Sequence, residues 1–492
     1  MLTQHWRREE RTSVVISADH ATNLGLEILK YKGDLEIPDF RDLVLGLLYL
    51  RHKSIVNSTT SDIGKVGAGS WSRIMGALGA PGLVPTIHEA FNEVIGSLGN
   101  TSRGDLRPII DVESIDDLLL TVNSIESNDH IRIVFDESME KFLPTGNKGG
   151  KAFTTPHWLS ELFVQIADPS LGTLYDPCCG TGGLLINSWR HIQHKNKEQF
   201  GLLHGQECHP AIWRICKMRL DIHGIPCNLG REHADLFKTR LHNRLKADFI
   251  FADPPFNQKY KKWEPSESVR EEWKFGTPTA LNTNYAWIQH FIERLTPTGV
   301  AVFTMSNGSM SSLTSGEGDI RRKIIEADLV DCIIALPTHL FSSTGIPACV
   351  WVISQSKYAD SRQGRIARDR HQKTLFINAQ QMGRMIDRVH RVLDPHEIFK
   401  IASTYRAWRG DSHFKYADVP NFCRACDIQE IASRQYILMP SRYVQGSDAT
   451  VREENRPETI EILCKKLDAQ FKESSRLERL IRERIERLGS GS

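Results

Sequence analysis

The 492-residue sequence lacks any run of about 18 apolar residues, the length that a membrane-spanning helix needs, and it opens without the apolar segment of a secretory signal. It lacks an excess of either charge, because 62 Lys and Arg oppose 60 Asp and Glu for a net charge of +2. Its ten cysteines are too scattered for a disulfide scaffold. These absences predict a cytoplasmic protein without membrane contact, and bulk charge gives no sign of nucleic-acid binding.

What the sequence contains is typical of globular proteins, with 40% hydrophobic and 25% charged residues. The length predicts about two or three domains. Apolar residues recur at helical spacing, as in residues 40–48, which predicts an all-α N-terminal domain over residues 1–143. Thr86 and Glu89 have capping-box spacing and predict a helix that begins there and stops at Gly99.

A loop rich in glycine, residues 144–150, ends the helical pattern. After it, short apolar runs alternate with segments of helix length. This alternation predicts an α/β catalytic domain over residues 150–378, a mostly parallel sheet with helices on both faces. The predicted strands are residues 173–176, 202–206, 249–252, 300–305, 332–336, 349–353 and 375–377.

The remaining residues give weaker signals. Residues 379–450 are predicted to be irregular, and residues 451–488 to form a charged helix with an apolar stripe that Ser474 interrupts. The stripe fits either packing on the same chain or docking of another chain. Residues 489–492, Gly-Ser-Gly-Ser, resemble an appended linker.

A glycine-rich turn follows the first predicted strand, which ends at Asp176. Gly180, Gly182 and Gly183 remove the Cβ atoms that would keep a ligand away from the backbone. Ligands of open α/β sheets bind at such turns, at the carboxyl ends of strands. The alternative is a turn that needs glycine for its geometry alone.

Two further acids suggest what the ligand is. Glu207 ends the second predicted strand, where a carboxylate can accept hydrogen bonds from two ribose hydroxyls. The turn has no GxGxxG, so a nucleoside is favoured over a dinucleotide, and S-adenosyl-L-methionine is the candidate cofactor. Asp235 could accept from the adenine amine, although a solvated loop position is the commoner place for such a residue.

The motif Asp253-Pro254-Pro255-Phe256 carries the clearest chemical signal. Two prolines fix the backbone direction and donate no hydrogen bonds, so the neighbouring carbonyls remain acceptors. An acceptor side chain, an acceptor carbonyl and an aromatic plate suit a planar amine, whose lone pair they would aim at an electrophile. The alternative is a proline-rich strand end with a core phenylalanine.

These motifs together resemble the amino-methylating DNA methyltransferases, and more narrowly the methylase (M) subunit of type I restriction–modification systems. The resemblance is strong over residues 150–355 and weak at both ends. It rests on Asp176 to Gly183, Gln206-Glu207, Asp253 to Phe256, Phe153-Thr-Thr-Pro156, Ala286-Trp287 with Phe291 and Leu295, and residues 44–50, 297–301, 306–309, 320–321, 335–337, 340–346, 351 and 440–444.

The resemblance implies roles for individual residues. The stretch Ala152-Phe153-Thr154-Thr155-Pro156-His157 would touch the amino-acid end of the cofactor, and Thr181-Gly182-Gly183 would lie beneath it. Glu207 would bind its ribose. This chain departs from the usual M-subunit pattern, which has Asn at the position of Asp253. The side-chain oxygen of Asp accepts the same hydrogen bond as that of Asn.

The implied reaction is methylation of adenine N6 in double-stranded DNA, without a metal. The implied partners are a specificity (S) subunit, a second M subunit and, optionally, a restriction (R) subunit, in a bacterial or archaeal cell. Only 114 residues follow residue 378, too few for a large base-reading domain, so sequence choice is assigned to the S subunit. Two alternatives stay open: methylation of RNA or of protein glutamine, and a catalytically silent assembly subunit.

Charge is distributed unevenly despite the neutral total. Residues 357–391 hold nine Lys or Arg and three Asp, and Lys259, Lys261 and Lys262 follow the Asp253–Phe256 motif. Such residues supply non-specific affinity for phosphates, or form a solvated face. We therefore predict weak DNA binding by this chain alone. Cys423 and Cys426 form a single pair that predicts no zinc site.

Overall fold

The structure is a computed structural model of the chain. Some predictions fall outside the residues that it describes: those on Gly99, Ala152, Phe153 and residues 144–150, 261–262 and 489–492. The described residues are 28, 30–31, 37–59, 69–94, 98, 115–142, 154–195, 201–260, 263–271, 273–341, 347–359, 368–388, 390–410, 415–445, 464–465, 467–479 and 481.

The described N-terminal residues are helical. Phe40 is buried, and its ring meets that of Phe142 edge to face, with 5.4 Å between centroids. The helices are α1 (Ile37–Thr59), α2 (Ser70–Gly76), α3 (Leu83–Val94), α4 (Ile115–Asn123) and α5 (Asn128–Phe142). The boundary at residue 143 stays a prediction.

The predicted start of α3 is wrong. The helix begins at Leu83, so Thr86 lies inside it. The Thr86 hydroxyl donates to the carbonyl of Gly82 at 2.8 Å, four residues back, as helical threonines do when they do not cap a helix.

A nine-stranded sheet forms the centre of the described structure. Its strands are β1 (Leu174–Asp176), β2 (Leu203–Gly205), β3 (Cys227–Asn228), β4 (Ala247–Ala252), β5 (Leu295–Ser306), β6 (Val330–Ala335), β7 (Ala348–Ser354), β8 (Lys373–Asn378) and β11 (Cys423–Asp427). They lie in the order β3-β2-β1-β4-β5-β7-β6-β8-β11. Strands β7 and β11 run antiparallel to their neighbours, and the others are parallel. Strands β9 (Arg384–Met385) and β10 (Arg391–Val392) form a separate hairpin.

Helices cover both faces of the sheet, so the predicted α/β fold is confirmed. Helices α6 (His157–Ala167), α7 (Gly183–Lys195) and α12 (Pro395–Arg409) bury apolar side chains on one face. Helices α10 (Asn284–Arg294), α11 (Glu317–Glu326) and α13 (Ile428–Ser433) cover the other. Helix α8 (Pro210–Ile222) packs on both the sheet and the N-terminal helices, and α9 (Glu267–Arg270) is a single turn.

Each of the seven predicted strands overlaps an observed one, but the described part of residues 379–450 contains regular elements where an irregular region was expected. Helix α12 lies there, and its first turn is closed by a capping box between Asp394 and Glu397. Strand β11 pairs with β8, with Cys423 opposite Ile377. A five-residue edge strand with only partial burial lacks the strong apolar run by which the other strands are recognised.

The described C-terminal residues, 467–479, are helical and exposed. Within the described ranges, no helix has both the length and the apolar character needed to cross a membrane.

Candidate active site

Strand β1 ends at Asp176, and the chain turns into α7 through two glycines in a left-handed conformation. Gly180 and Gly182 have φ values of +54° and +83°, which favour glycine. A Cβ at Gly182 would lie 3.0 Å from the sulfur of Cys216 on α8, so the turn packs closely on that helix. The turn therefore presents backbone, with few side chains, at the carboxyl end of β1.

Glu207 follows β2, the neighbour of β1, and its buried side chain reaches the glycine turn. Its Oε2 accepts from the amide of Gly180 at 3.1 Å, and its Oε1 accepts from the amide of His209 at 2.7 Å. Burial raises the pKa of Glu207, although these amides stabilise its charged form. The carboxylate thus joins the ends of two adjacent strands.

Asp176, Glu207 and Asp253 converge at the carboxyl ends of β1, β2 and β4. Burial raises the pKa of Asp176 well above its usual range, and the charges of Asp253 and Glu207 raise it further. Among the described residues, no ion pair joins a cation to any of the three. A group of acids without a cation is suited to a positively charged ligand.

Asp253 follows β4 directly and is held from the adjacent β5. The hydroxyl of Thr304 donates to Oδ1 of Asp253, because the register places Ala252 opposite Phe303 and brings the next residue of each strand together. Burial raises the pKa of Asp253 to about 6, and the bond from Thr304 acts in the opposite direction. Sequence reasoning missed Thr304, whose only signal is its place near the end of a predicted strand.

Phe256 is partly exposed and lies at one end of a row of aromatic rings. Its ring centroid is 5.8 Å from that of Phe341, which is 5.6 Å from that of Trp158. Both contacts are edge to face. Pro254 is buried and Pro255 is partly buried. Phe256 is therefore a partly solvated aromatic face beside Asp253, and the alternative of a core phenylalanine does not describe it.

The residue after the motif, Asn257, is fixed by a network that sequence reasoning missed. Asn257 has a φ of +53°, and its amide donates to Oδ1 of Asn284 at 3.0 Å. Its own Oδ1 accepts from Nδ2 of Asn284 at 2.9 Å and from the hydroxyl of Ser306 at 3.0 Å. Because Asn284 and Ser306 are buried on α10 and β5, they anchor the turn to the rigid part of the fold.

The remaining predicted cofactor residues surround the same edge of the sheet. Thr154, Thr155 and Pro156 are partly buried before α6, and His157 is exposed. The Thr155 carbonyl lies 3.7 Å from where a Cβ of Gly183 would be, which places this stretch against the glycine turn.

Asp235 and Thr181 each have a partner that sequence reasoning did not find. Oδ1 of Asp235 accepts from the amide of Phe237 at 3.0 Å, and the hydroxyl of Tyr260 lies 3.4 Å from both carboxylate oxygens. The carbonyl of Thr181 accepts from Arg219 at 3.2 Å.

Comparison with known proteins agrees with this geometry. The sequence model of the N-6 DNA Methylase family matches residues 126–452. The chain is 36% identical over 357 residues to the type I restriction enzyme HindI methylase subunit of Haemophilus influenzae, covering 72% of this chain and 77% of that subunit. It is 31% identical over 370 residues to the MjaIX methylase subunit of Methanocaldococcus jannaschii, covering 72% of this chain and 62% of that subunit.

The chain belongs to the N-6 DNA Methylase family. A crystal structure of the type I restriction–modification methyltransferase subunit from Streptococcus thermophilus has the same fold, with a TM-score of 0.69 and 17% identity, covering 87% of this chain and all of that one. The predicted resemblance to type I methylase subunits is confirmed, as are an adenine-specific DNA methyltransferase activity and the use of S-adenosylmethionine.

In this N-6 DNA methylase, several cationic side chains of residues 357–391 form ion pairs or ring contacts within the protein. Lys357 pairs with Asp328 at 2.5 Å and Arg370 with Asp331 at 3.0 Å, and both cations are buried. The guanidinium of Arg368 lies 4.7 Å from the ring centroid of Trp408. These three side chains serve packing and internal pairing, so the stretch is less available to DNA than its composition indicates.

The cysteine pair lies on β11, where both Cys423 and Cys426 are buried. In the part of the chain that the structure describes, no group of three or more His, Cys, Asp or Glu is placed to hold a metal.

Proposed function

We propose that this chain is the modification subunit of a type I restriction–modification complex, and that Asp253 to Phe256 hold the target adenine during methyl transfer. One observation carries the proposal: the Asp253–Phe256 turn lies beside the Gly180–Gly183 turn, because β4 and β1 are adjacent and parallel. A methyl acceptor and a cofactor bound at these two turns would meet at the same edge of the sheet.

The residues of the turn have complementary tasks. The adenine must leave the duplex, at a cost of a few kcal/mol, since its amine is otherwise paired. Phe256 stacks on the extruded base, a contact worth about 1–3 kcal/mol. Asp253 and the carbonyl of Pro254 accept hydrogen bonds from the amine, keep its lone pair out of the ring and aim it at the methyl group. Much of the rate then comes from positioning.

The residues around the glycine turn fit S-adenosylmethionine, which when bound supplies a methyl group on a sulfonium. Glu207 accepts from the ribose hydroxyls, and Asp235 accepts from the adenine amine. The residues from Thr154 to His157 contact the amino-acid end. Asp176 and Glu207 have no cation beside them in the described structure, and the amides that hydrogen-bond to Glu207 favour its charged form, so this side of the site suits a cationic ligand.

Transfer of tritiated methyl groups to DNA, RNA and protein, measured side by side, tests the activity. We expect label in DNA only, at adenine N6, as single-molecule sequencing of that DNA would show. Asp253→Ala should abolish the transfer and leave S-adenosylmethionine affinity within about threefold by calorimetry, since Asp253 contacts the acceptor. The matched control is Asp319→Asn, which removes an exposed carboxylate paired with Arg322.

Three outcomes would contradict the proposal. Activity in Asp253→Ala would remove the role of that residue. Label in RNA or protein would change the substrate class. Failure to bind S-adenosylmethionine would favour a silent assembly subunit.

We propose an S subunit, a second M subunit and, optionally, an R subunit as partners, with double-stranded DNA as substrate in the cytoplasm. The helix of residues 467–479 supports docking, since Leu467, Phe471 and Leu477 are exposed on it. Leu467→Asp/Phe471→Asp should prevent assembly with an S subunit in light scattering, whereas Lys472→Glu, which changes a charged position of the same helix, should not. Tight, sequence-specific DNA binding by this chain alone would contradict the need for an S subunit.

A further inference from the structure

Strand β5 contacts both ends of the Asp253–Phe256 turn. Thr304 and Ser306 are two residues apart, so their side chains point to the same side of the strand. The Thr304 hydroxyl donates to Asp253 at the start of the turn, and the Ser306 hydroxyl donates to Asn257 directly after it. The turn is therefore held at two points by one strand.

The contact from Thr304 differs in kind from the contact at Ser306. Thr304 is fully buried, and its acceptor is a carboxylate oxygen, so the hydrogen bond is charge-assisted and favours the ionised acid. Ser306 donates to a neutral amide oxygen. Since Oδ1 of Asp253 is engaged by Thr304, Oδ2 is the oxygen left to accept from an amine.

We propose that Thr304 is a positioning residue for methyl transfer: it holds Asp253 through Oδ1, so that the ionised carboxylate directs Oδ2 at the target amine. The inference rests on the proposed role of Asp253. Thr304 itself touches neither reactant and acts through the carboxylate.

The surroundings of Asp253 explain why such a donor matters. The titratable groups beside Asp253 are Asp176 at the end of β1, Glu207 after β2 and Cys178 of the glycine turn, and the charge of Asp253 raises the pKa of both Asp176 and Cys178. Burial already raises the pKa of Asp253 to about 6, and the Thr304 bond counteracts that rise. Without the hydroxyl, Asp253 binds a proton at higher pH, and a protonated oxygen can donate where the reaction needs an acceptor.

The test is the pH dependence of kcat for DNA methylation at saturating S-adenosylmethionine, with the S subunit present. Thr304→Val keeps the side-chain shape and removes the hydroxyl. We expect kcat at pH 7 to fall about 10–100-fold, as for loss of a hydrogen bond to a charged group. We also expect the acid limb of the pH profile, the range over which kcat falls as the pH falls, to move to higher pH. The KM for S-adenosylmethionine should stay unchanged, and Thr304→Ser should restore both kcat and the limb.

Thr374→Val is the matched control, because Thr374 is also a buried strand threonine, and its hydroxyl donates to the carbonyl of Val330 at 2.8 Å. It should lower stability without moving the acid limb. Thr304→Ala repeats the test if Thr304→Val does not fold.

Asp253→Asn separates the inference from the proposed function. It should remove the acid limb, and Thr304→Val should then have no effect on the shape of the pH profile. An unmoved limb in active Thr304→Val or Thr304→Ala enzyme would overturn the positioning role while leaving adenine methylation intact. Persistence of the limb in Asp253→Asn would also overturn it, whereas absence of methylation by the unmodified protein would overturn the proposed function first.

Discussion

Two sets of carboxylates in this methyltransferase have opposite surroundings. The paired carboxylates lie between elements of the fold and contact cations. The site carboxylates lie at the carboxyl ends of the strands and accept hydrogen bonds from backbone amides, cysteine thiols and a hydroxyl. The paired carboxylates are Asp136, Asp168 and Asp331, and the site carboxylates are Asp176, Glu207 and Asp253.

The pKa values of the two sets move in opposite directions. Burial alone would raise the pKa of Asp331, but Arg370 outweighs it and holds that pKa below the usual range. The same balance holds at Asp136, where Arg219 and His223 are the partners. The pKa values of the site carboxylates are raised, because nothing cationic offsets burial. Three such acids grouped at the carboxyl ends of neighbouring strands mark a place that suits a cationic ligand.

The largest expected effect breaks a paired carboxylate. Asp331→Ala leaves Arg370 charged and buried without its partner, and it also removes the acceptor of the Tyr405 hydroxyl, 2.7 Å away. We expect unfolding free energy to fall by about 3–5 kcal/mol in denaturant titrations. The methylation rate per folded molecule should be unchanged, and a selective loss of activity would contradict the division into two sets.

Removing the charge of a site carboxylate should mainly affect cofactor binding and not protein stability. Glu207→Gln should weaken S-adenosylmethionine binding about 10–100-fold in calorimetry, the cost of hydrogen bonds to a charged group. Its loss of stability should be smaller than that of Asp331→Ala, because only one of the two backbone amides loses its acceptor. The control is Glu293→Gln, which makes the same change in an acid paired with Lys246 and Lys274. It should leave cofactor affinity unchanged.

Acidification should separate the two sets in one protein. Asp253 has a raised pKa of about 6 when folded, so its contribution to stability is fully present below its unfolded pKa and is lost as pH rises through 6. Asp331 has a lowered pKa, so its contribution is present above its unfolded value of about 3.9 and is lost only below it. Between pH 6 and pH 4 we expect kcat to fall while circular dichroism stays native. Unfolding in parallel with inactivation would refute this.

The smallest effect is expected for an exposed pair that belongs to neither set. Arg132 and Asp129 pair at 2.8 Å on α5, with 40% and 80% of their side chains exposed. Asp129→Asn should change the unfolding free energy by less than about 0.5 kcal/mol and leave methylation unchanged. A larger effect would show that the exposure of its side chains does not tell whether an ion pair stabilises the fold.

Much of the sheet was predictable, because buried strands require continuous apolar runs wherever helices cover both faces. Strands β4 and β5 therefore appear in the sequence, and β11 and the short β3 do not. The glycine turn and Asp253–Phe256 were predictable for a different reason, since close approach of a ligand and a fixed backbone direction demand particular residue types over a few consecutive positions.

The partners of these motifs were not predictable. Thr304 lies 51 residues from Asp253, and Asn284 lies 27 residues from Asn257, in segments whose patterns indicate only a strand and a helix. Their roles depend on strand register, and a shift by one residue would turn Thr304 away from Asp253. Similarly, nothing local to Arg370 or Lys357 distinguishes a buried ion pair from a solvated basic face.

By itself, then, the sequence determined the fold class, the two turns and the kind of chemistry they serve, because those depend on contiguous residue types and on periodicity. Only the tertiary structure decided which acids have cations and which do not, because pairing depends on side chains brought together from distant strands and helices. That difference in pairing sets the pKa values, and through them the charge that S-adenosylmethionine and the adenine amine would meet.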